Sequence, residues 1–267
     1  MANTAQRIHV GVGGWTYEPW RDNFYPAGWP KSRELEYASG KLTAIEINGT
    51  YYSTQKRESF IKWRDETPAH FMFSVKAARY ATNRKLLATA GESIERFVGS
   101  GIDELGPKLG PIVWQFMPTK RFEPEDFEGF LALLPPRAGS VALRHVLDVR
   151  HESFKNAEFL ALAAKYGAAT VFTDSADYPS FADLSADFVY ARLMCAQADL
   201  DSGYPAKELD RWALAARTWA EGGEPAGLPR IGDAKPVPAG PRDVFVFFIN
   251  GAKERAPAAA MALIERL

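Results

Sequence analysis

The chain has 267 residues, 46% hydrophobic and 24% charged, a composition that can bury a sizeable core without a metal or a disulfide. Its 32 basic and 33 acidic residues give a formal net charge of -1, which argues against a nucleic-acid surface built on a broad positive field. A single cysteine, Cys195, excludes an intramolecular disulfide, and a lone thiol is typical of a reducing compartment. No apolar run approaches the ~20 residues that span a bilayer, and residues 1–7 lack a hydrophobic signal core. We therefore predict a soluble, cytoplasmic protein without a membrane partner.

Eight short apolar runs alternate along the chain with longer amphipathic stretches. The runs are nearly continuous in hydrophobic residues, as expected for parallel strands buried on both faces. In chain order they are Ile8–Val12, Ala44–Ile47, Phe71–Val75, Ile112–Phe116, Ala142–Val149, Ala169–Thr173, Phe188–Leu193 and Val244–Ile249.

Helical periodicity fills the intervals between these runs. Apolar side chains recur at helical spacing in 57–66, after Pro124, before Gly167, after Pro205 and in 258–267. Strand–helix alternation repeated eight times predicts a closed parallel (β/α)8 TIM-type barrel, formed by a single domain over residues 1–267. An open doubly wound sheet is the alternative.

The segment 221–242 interrupts the alternation. It is crowded with glycine and proline, and it is too long and too unfavourable to helix for an ordinary connection. We expect either a surface excursion or a flap over the site, and the sequence favours neither.

Enzymes with a barrel fold carry their chemistry at the carboxyl-terminal ends of the strands. Here those positions hold Glu46, Asp148 and His151, which are candidate catalytic acids or bases. The candidate binding residues are aromatic, amide or charged, and they are Trp15, Tyr17, Asn48, Tyr51, Lys76, Gln115, Arg150, Asp174, Arg192 and Asn250. We expect seven of these residues to converge on one pocket, namely Glu46, Lys76, Asp148, Arg150, Asp174, Arg192 and Asn250.

A self-contained network of ion pairs is the structural alternative, because a buried charge costs several kcal/mol unless it is paired. Such a network could pair Glu46 with Lys76 and Asp148 with Arg192.

Residues 148 and 150 share one face of the fifth strand by alternation. The sequence therefore also predicts a buried pair between Asp148 and Arg150, whose loss through Arg150→Ala would cost ~3–5 kcal/mol. His151 either reaches the site from the loop above or caps the following helix.

Several motifs resemble those of a known family. They include Gly11-Val-Gly-Gly-Trp-Thr-Tyr17, Ile45-Glu-Ile-Asn48 with Tyr51-Tyr52, Phe73-Ser-Val-Lys76, and Val149-Arg-His-Glu-Ser-Phe154. Through them nearly the whole chain resembles the domain of unknown function 72 (YecE-like) family, which implies a barrel fold and no particular reaction. Two positions depart from the family pattern. Asp148 stands where the family usually has Glu, and Met194-Cys195 follow Arg192 where it usually has His-Gly.

Among the possible functions, we favour an enzyme that binds a small anionic substrate bearing a phosphate or carboxylate. Lys76, Arg150 and Arg192 would hold the anion, and the three candidate acids and bases would move protons. The sequence contains no Gly-rich phosphate loop and no Gly-x-Ser-x-Gly motif, so we expect no cofactor.

Two further functions stay open. A divalent-metal-dependent barrel isomerase or phosphodiesterase could use Glu46, Asp148, His151 and Asp174 as ligands, although the neighbouring Lys76 would repel a cation. A non-catalytic barrel that binds a ligand or a partner is equally compatible with the fold.

Overall fold

Eight parallel strands form a closed barrel in a computed structural model that describes residues 4–232 and 240–267. The strands are β1 (Ile8–Gly13), β2 (Ala44–Ile47), β3 (Met72–Lys76), β4 (Leu109–Gln115), β5 (His145–Asp148), β6 (Ala169–Thr173), β7 (Phe188–Leu193) and β8 (Asp243–Phe248). Each strand pairs with the next along the chain, and β8 closes the ring against β1. The predicted closed barrel is therefore confirmed, and the open sheet is excluded.

Helices lie between consecutive strands and after β8, although residues 174–187 between β6 and β7 contain none. They are α1 (Glu34–Ser39), α2 (Gly49–Tyr52), α3 (Arg57–Asp65), α4 (Arg79–Thr82), α5 (Gly91–Val98), α6 (Pro124–Ala132), α7 (Ala157–Lys165), α8 (Ala206–Ala220) and α9 (Ala256–Ile264). Short 3-10 turns cover Thr4–Arg7, Glu18–Trp20, Lys31–Arg33, Leu87–Thr89, Ile102–Lys108, Glu152–Phe154 and Lys253–Arg255. The predicted helical stretches correspond to α3, α6, α7, α8 and α9.

Two strand boundaries differ from the prediction for identifiable reasons. The fifth strand begins at His145, because Val141–Ala142 pairs antiparallel with Arg137–Ala138 in a separate hairpin. The fourth strand begins earlier than predicted, at Leu109, and includes Gly110. A Cβ at Gly110 would lie 2.9 Å from the Phe73 carbonyl oxygen, so the close approach of β3 and β4 requires glycine there.

Strand side chains alternate between the barrel interior and the layer under the helices. The interior is packed mainly with apolar residues, which are Ala44, Val113, Val146, Ala169, Val171, Ala186, Phe188, Tyr190, Phe245, Phe247 and Ile249. By the same alternation, the residue two positions after an apolar interior residue also faces the interior. On several strands this next interior residue is polar. The interior thus changes from apolar to charged toward the carboxyl-terminal ends of the strands, which we call the barrel mouth.

The described part of the Gly/Pro-rich segment 221–242 is attached to the loop between β6 and β7. The Asp183 carboxylate accepts a hydrogen bond from the Ile231 amide at 2.8 Å, and the Pro229 carbonyl accepts one from the Ala182 amide at 2.7 Å. Residues 233–239 lie outside the described residues, so the choice between a surface excursion and a flap stays a prediction. Across the described ranges, no helix is long and apolar enough to cross a membrane.

Candidate functional site

Arg192 connects two carboxylates across the barrel mouth. Its Nη1 donates to Asp148 Oδ2 at 2.6 Å, and its Nη2 donates to Glu46 Oε1 at 3.0 Å. The three residues come from β7, β5 and β2, and they are 1%, 3% and 0% exposed, respectively. The expected pair of Asp148 with Arg192 is present. The expected pair of Glu46 with Lys76 is wrong, because Arg192 and a tyrosine occupy both oxygens of Glu46.

That tyrosine, Tyr190, extends the network into the barrel. Its hydroxyl donates to Glu46 Oε2 at 2.7 Å and lies 2.7 Å from the Ser74 hydroxyl. Burial and the adjacent Glu46 raise the pKa of Tyr190 well above its ordinary value, so the phenol remains a donor. Sequence reasoning missed both hydroxyls, although each lies two residues before a candidate, Arg192 or Lys76, on the same face of its strand.

Arg150 forms the outer part of the network. Its Nη2 donates to Asp148 Oδ2 at 3.1 Å and to Gln115 Oε1 at 2.9 Å. Its guanidinium carbon lies 4.5 Å from the ring centre of Tyr178. The predicted pair of Asp148 with Arg150 is confirmed, but Asp148 has a second cationic partner in Arg192.

Lys76 is a buried cation at the mouth that lacks an anionic partner. The residue is 8% exposed, and its Nζ lies 4.4 Å from the ring centre of Tyr51. Within the described residues, this ammonium makes no hydrogen bond and no ion pair. Burial and then the nearby Arg192 lower the pKa of Lys76 from 10.5 to about 8, although Glu46 and Asp148 act in the opposite direction.

The mouth therefore carries an excess of positive charge. Lys76, Arg150 and Arg192 face only the Glu46 and Asp148 carboxylates in this network. Three cations against two carboxylates leave one formal positive charge. This charge is concentrated on Lys76, because the ion pairs belong to the two arginines.

His151 caps the 3-10 turn Glu152–Phe154. Its Nδ1 accepts a hydrogen bond from the Ser153 amide at 3.1 Å and lies 2.8 Å from the Ser153 hydroxyl. The capping alternative is therefore present. An amide donor on Nδ1 requires that nitrogen to be unprotonated, so the neutral ring carries its proton on Nε2.

Asp174 and Asn250 lie apart from the network. Thr173 pairs in register with Arg192 and points into the barrel, so alternation directs Asp174 outward. The side chain of Asn250 follows the same rule after the inward Ile249, and the residue is exposed. Glu46, Lys76, Asp148, Arg150 and Arg192 therefore lie together at the mouth and these two residues do not, while a pocket lined by them stays a prediction.

The outward Asp174 is held by hydrogen bonds of its own. Its Oδ1 accepts from the Met194 amide at 2.6 Å, and its Oδ2 accepts from the Tyr204 hydroxyl at 2.8 Å. Desolvation raises the pKa of Asp174. The residue lines a cavity of about 350 Å³ together with Trp212 of α8 and Leu228.

The remaining predicted binding residues are distributed around the mouth. Trp15 and Asn48 line a cavity of about 140 Å³, where Trp15 makes an edge contact with Trp63 at a ring-centre distance of 5.3 Å. Tyr17 packs against Trp20 at 5.6 Å. Tyr51 and Gln115 are the members of this group that contact the charged network.

The four residues considered as metal ligands do not come together. Arg192 occupies Glu46 and Asp148, the His151 Nδ1 is bound to Ser153, and Asp174 faces outward. In residues 4–232 and 240–267, no three His, Cys, Asp or Glu side chains form a cluster that could hold a metal ion.

Comparison with known proteins gives a family and no reaction. UPF0759 protein YunF of Bacillus subtilis (strain 168) is 28% identical over 116 residues, a match that spans 42% of this chain and 40% of YunF. A DUF72 family protein of Thermotoga maritima MSB8 has a similar structure, with a TM-score of 0.68, 19% identity and 97% of both chains covered. Another, from Enterococcus faecalis V583, has a TM-score of 0.66 and 14% identity, with 97% of this chain and 96% of that chain covered. At these identities the likeness shows the fold alone. The family model described as "Protein of unknown function DUF72" matches residues 9–267, and the chain therefore belongs to the DUF72 family.

Proposed function

We propose that this protein is an enzyme that binds a small phosphate- or carboxylate-bearing substrate at the barrel mouth and acts on it by general acid–base chemistry. The observation that carries the proposal is the Lys76 ammonium, which has no anionic partner within the described residues although the residue is only 8% exposed. Removing an ammonium from water costs several kcal/mol unless an anion or hydrogen-bond acceptors compensate. A substrate anion would supply this compensation.

Arg150 supports the proposal as a second binding group. It is partly buried and stacks on Tyr178, and a planar guanidinium suits contact with a carboxylate or phosphate. It is near enough to Lys76 to lower the pKa of that amine. An anion that contacts both cations would relieve this repulsion.

Glu46 and Asp148 are the proposed proton carriers in the barrel, and His151 is the proposed carrier in the loop above. Arg192 fixes both carboxylates by hydrogen bonds. The Ser153 amide fixes the His151 ring through Nδ1, so Nε2 is the atom available for proton transfer.

Thermal unfolding with added anions tests the proposal. At constant ionic strength, phosphate should raise the Tm relative to chloride, because a ligand that binds only the folded state stabilises it. Lys76→Met should abolish this difference, and EDTA should leave the Tm unchanged.

Lys108→Met is the matched control, because Lys108 is equally buried but lies before β4, at the opposite end of the barrel. It should retain the phosphate response. The proposal is wrong if phosphate, sulfate and simple carboxylates all fail to stabilise the wild type. A loss of stability in EDTA that Mn²⁺ restores would instead favour the metal-dependent alternative.

A further inference from the structure

We infer that the substrate of this mouth also carries an aldehyde or ketone group, and that Lys76 forms an imine with its carbonyl carbon; this inference rests on the proposed function and names its substrate class. No other described residue of the network offers a nitrogen nucleophile, because guanidinium groups remain protonated in proteins.

The geometry leaves the Lys76 nitrogen unoccupied. A lysine amine attacks a carbonyl only when it is uncharged and its lone pair is free. The Nζ faces the Tyr51 ring and has no hydrogen-bond acceptor within the described residues. Meanwhile the backbone of Lys76 is fixed, since the Thr50 hydroxyl donates to its carbonyl at 2.6 Å.

Lys108 shows that burial alone does not produce this arrangement. It is also 8% exposed, but its Nζ donates to the Thr67 carbonyl at 2.6 Å, to the Thr67 hydroxyl at 3.1 Å and to the Arg64 carbonyl. Three acceptors match the three donors of an ammonium, although burial lowers the pKa of Lys108 as well. Lys76 has the burial of Lys108 without the acceptors.

The surroundings of Lys76 also favour its uncharged form. Burial, Arg192 and Arg150 lower the pKa of the amine to about 8, against the opposing carboxylates of Glu46 and Asp148. At pH 7 roughly a tenth of such an amine is uncharged, since one pKa unit is a tenfold change in the ratio. Desolvation beside other cations is a known way to activate a lysine for this chemistry.

The step balances without a further reactant. The Nζ lone pair forms a bond to the carbonyl carbon, and the carbonyl π pair moves to the oxygen, which takes up a proton. The nitrogen loses a proton, and the resulting hydroxyl is protonated and leaves as water while the nitrogen lone pair forms the C=N bond. Glu46 and Asp148 are the carboxylates beside the amine that can carry these protons.

Reductive trapping tests the inference. The protein is incubated with pyruvate, glyoxylate or dihydroxyacetone phosphate in sodium cyanoborohydride, and adducts are located by peptide mass mapping. A trapped imine adds the mass of the carbonyl compound less one oxygen atom. We expect more adduct at Lys76 than at Lys108, because the Lys108 nitrogen donates to three oxygen acceptors and the Lys76 nitrogen faces only the Tyr51 ring.

Variants and ligands separate the possible outcomes. Lys76→Arg should lose the adduct and Lys108→Arg should keep it; if either variant fails to fold, the adduct map of the wild type still decides. Stabilisation by these anions without an adduct at Lys76 overturns the imine and leaves anion binding intact. Rapid labelling by neutral acetone without any stabilisation by anions supports the imine and overturns the proposed anion site. Uniform labelling of surface lysines, with Lys76 unmodified, overturns the imine.

Discussion

The two ends of the barrel differ in the hydrogen-bond partners that they provide for buried polar side chains. At the amino-terminal end, Lys108 has three oxygen acceptors, and the His145 ring lies between the Trp114 indole nitrogen at 3.1 Å and the Pro135 carbonyl at 2.8 Å. At the carboxyl-terminal mouth, Lys76 has only an aromatic face, and Arg192 Nε is buried without a hydrogen-bond partner. Native proteins satisfy nearly all buried polar groups. The two buried lysines therefore differ in their hydrogen-bond partners rather than in their burial.

The largest effect should come from Arg192, which holds the mouth together. Arg192→Met leaves Glu46 and Asp148 buried without this cation, which should lower the free energy of unfolding by about 3–5 kcal/mol. Urea denaturation measures the change. Arg33→Met is the control, because Arg33 pairs with Glu36 at the surface, where solvent screening leaves an ion pair with little effect on stability. Equal losses in the two variants would contradict the central role of Arg192.

The two buried lysines should respond with opposite signs to the same substitution. Lys76→Met removes a desolvated, unpaired cation and should raise the free energy of unfolding at pH 7 by about 1–3 kcal/mol, since one pKa unit corresponds to about 1.4 kcal/mol. Lys108→Met leaves buried acceptors of Thr67 and Arg64 unsatisfied and should lower it by about 1–3 kcal/mol. Urea midpoints at pH 7 give both values, and a shared sign would remove the distinction between the two ends.

The advantage of Lys76→Met should depend on pH. The folded-state pKa of Lys76 is about 8, below the ordinary 10.5, so between these values the unfolded chain holds a proton that the folded chain has released. Wild-type stability should therefore rise relative to Lys76→Met as pH increases from 8 to 10.5. Denaturation curves of both proteins across this range test the sign. A constant difference between them would mean that Lys76 titrates alike in both states.

A smaller effect is expected at Arg150. The sequence alone suggested that its loss would strand Asp148, at a cost of ~3–5 kcal/mol. In the structure Asp148 keeps Arg192 at 2.6 Å, so Arg150→Met should cost only about 1.5–3 kcal/mol, the usual range for hydrogen bonds to a charged group. A loss as large as that of Arg192→Met in the same urea assay would show that Arg150 is the principal partner.

The sequence predicted the barrel well because buried parallel strands leave continuous apolar runs between helical patterns. It predicted Glu46, Lys76, Asp148, Arg150 and Arg192 at the mouth because each lies at or near the end of such a run. The same continuity hides the direction of each side chain, since a run apolar on both faces does not reveal which face is inside. The predicted inward direction of Asp174 and Asn250 was wrong for that reason. Each follows an inward residue by one position, so its side chain points outward.

The hydrogen-bond partners that face each other across the barrel could not be predicted from the sequence either. The bond from Tyr190 to Glu46 joins residues 144 positions apart, and it depends on barrel closure and strand stagger. The residues around Lys108 in the sequence did not indicate that its ammonium would be hydrogen-bonded. Its acceptors come from Arg64 at the end of α3 and from Thr67 beyond it.

The titration of the Lys76 side chain tests the central claim most directly. Its ε-carbon, followed by NMR in isotope-labelled protein and assigned with Lys76→Met, should titrate near pH 8 without ligand. Saturating phosphate should move the midpoint upward, because a bound anion favours the ammonium. A midpoint at the ordinary 10.5 that phosphate does not change would contradict a buried, unpaired cation at the mouth.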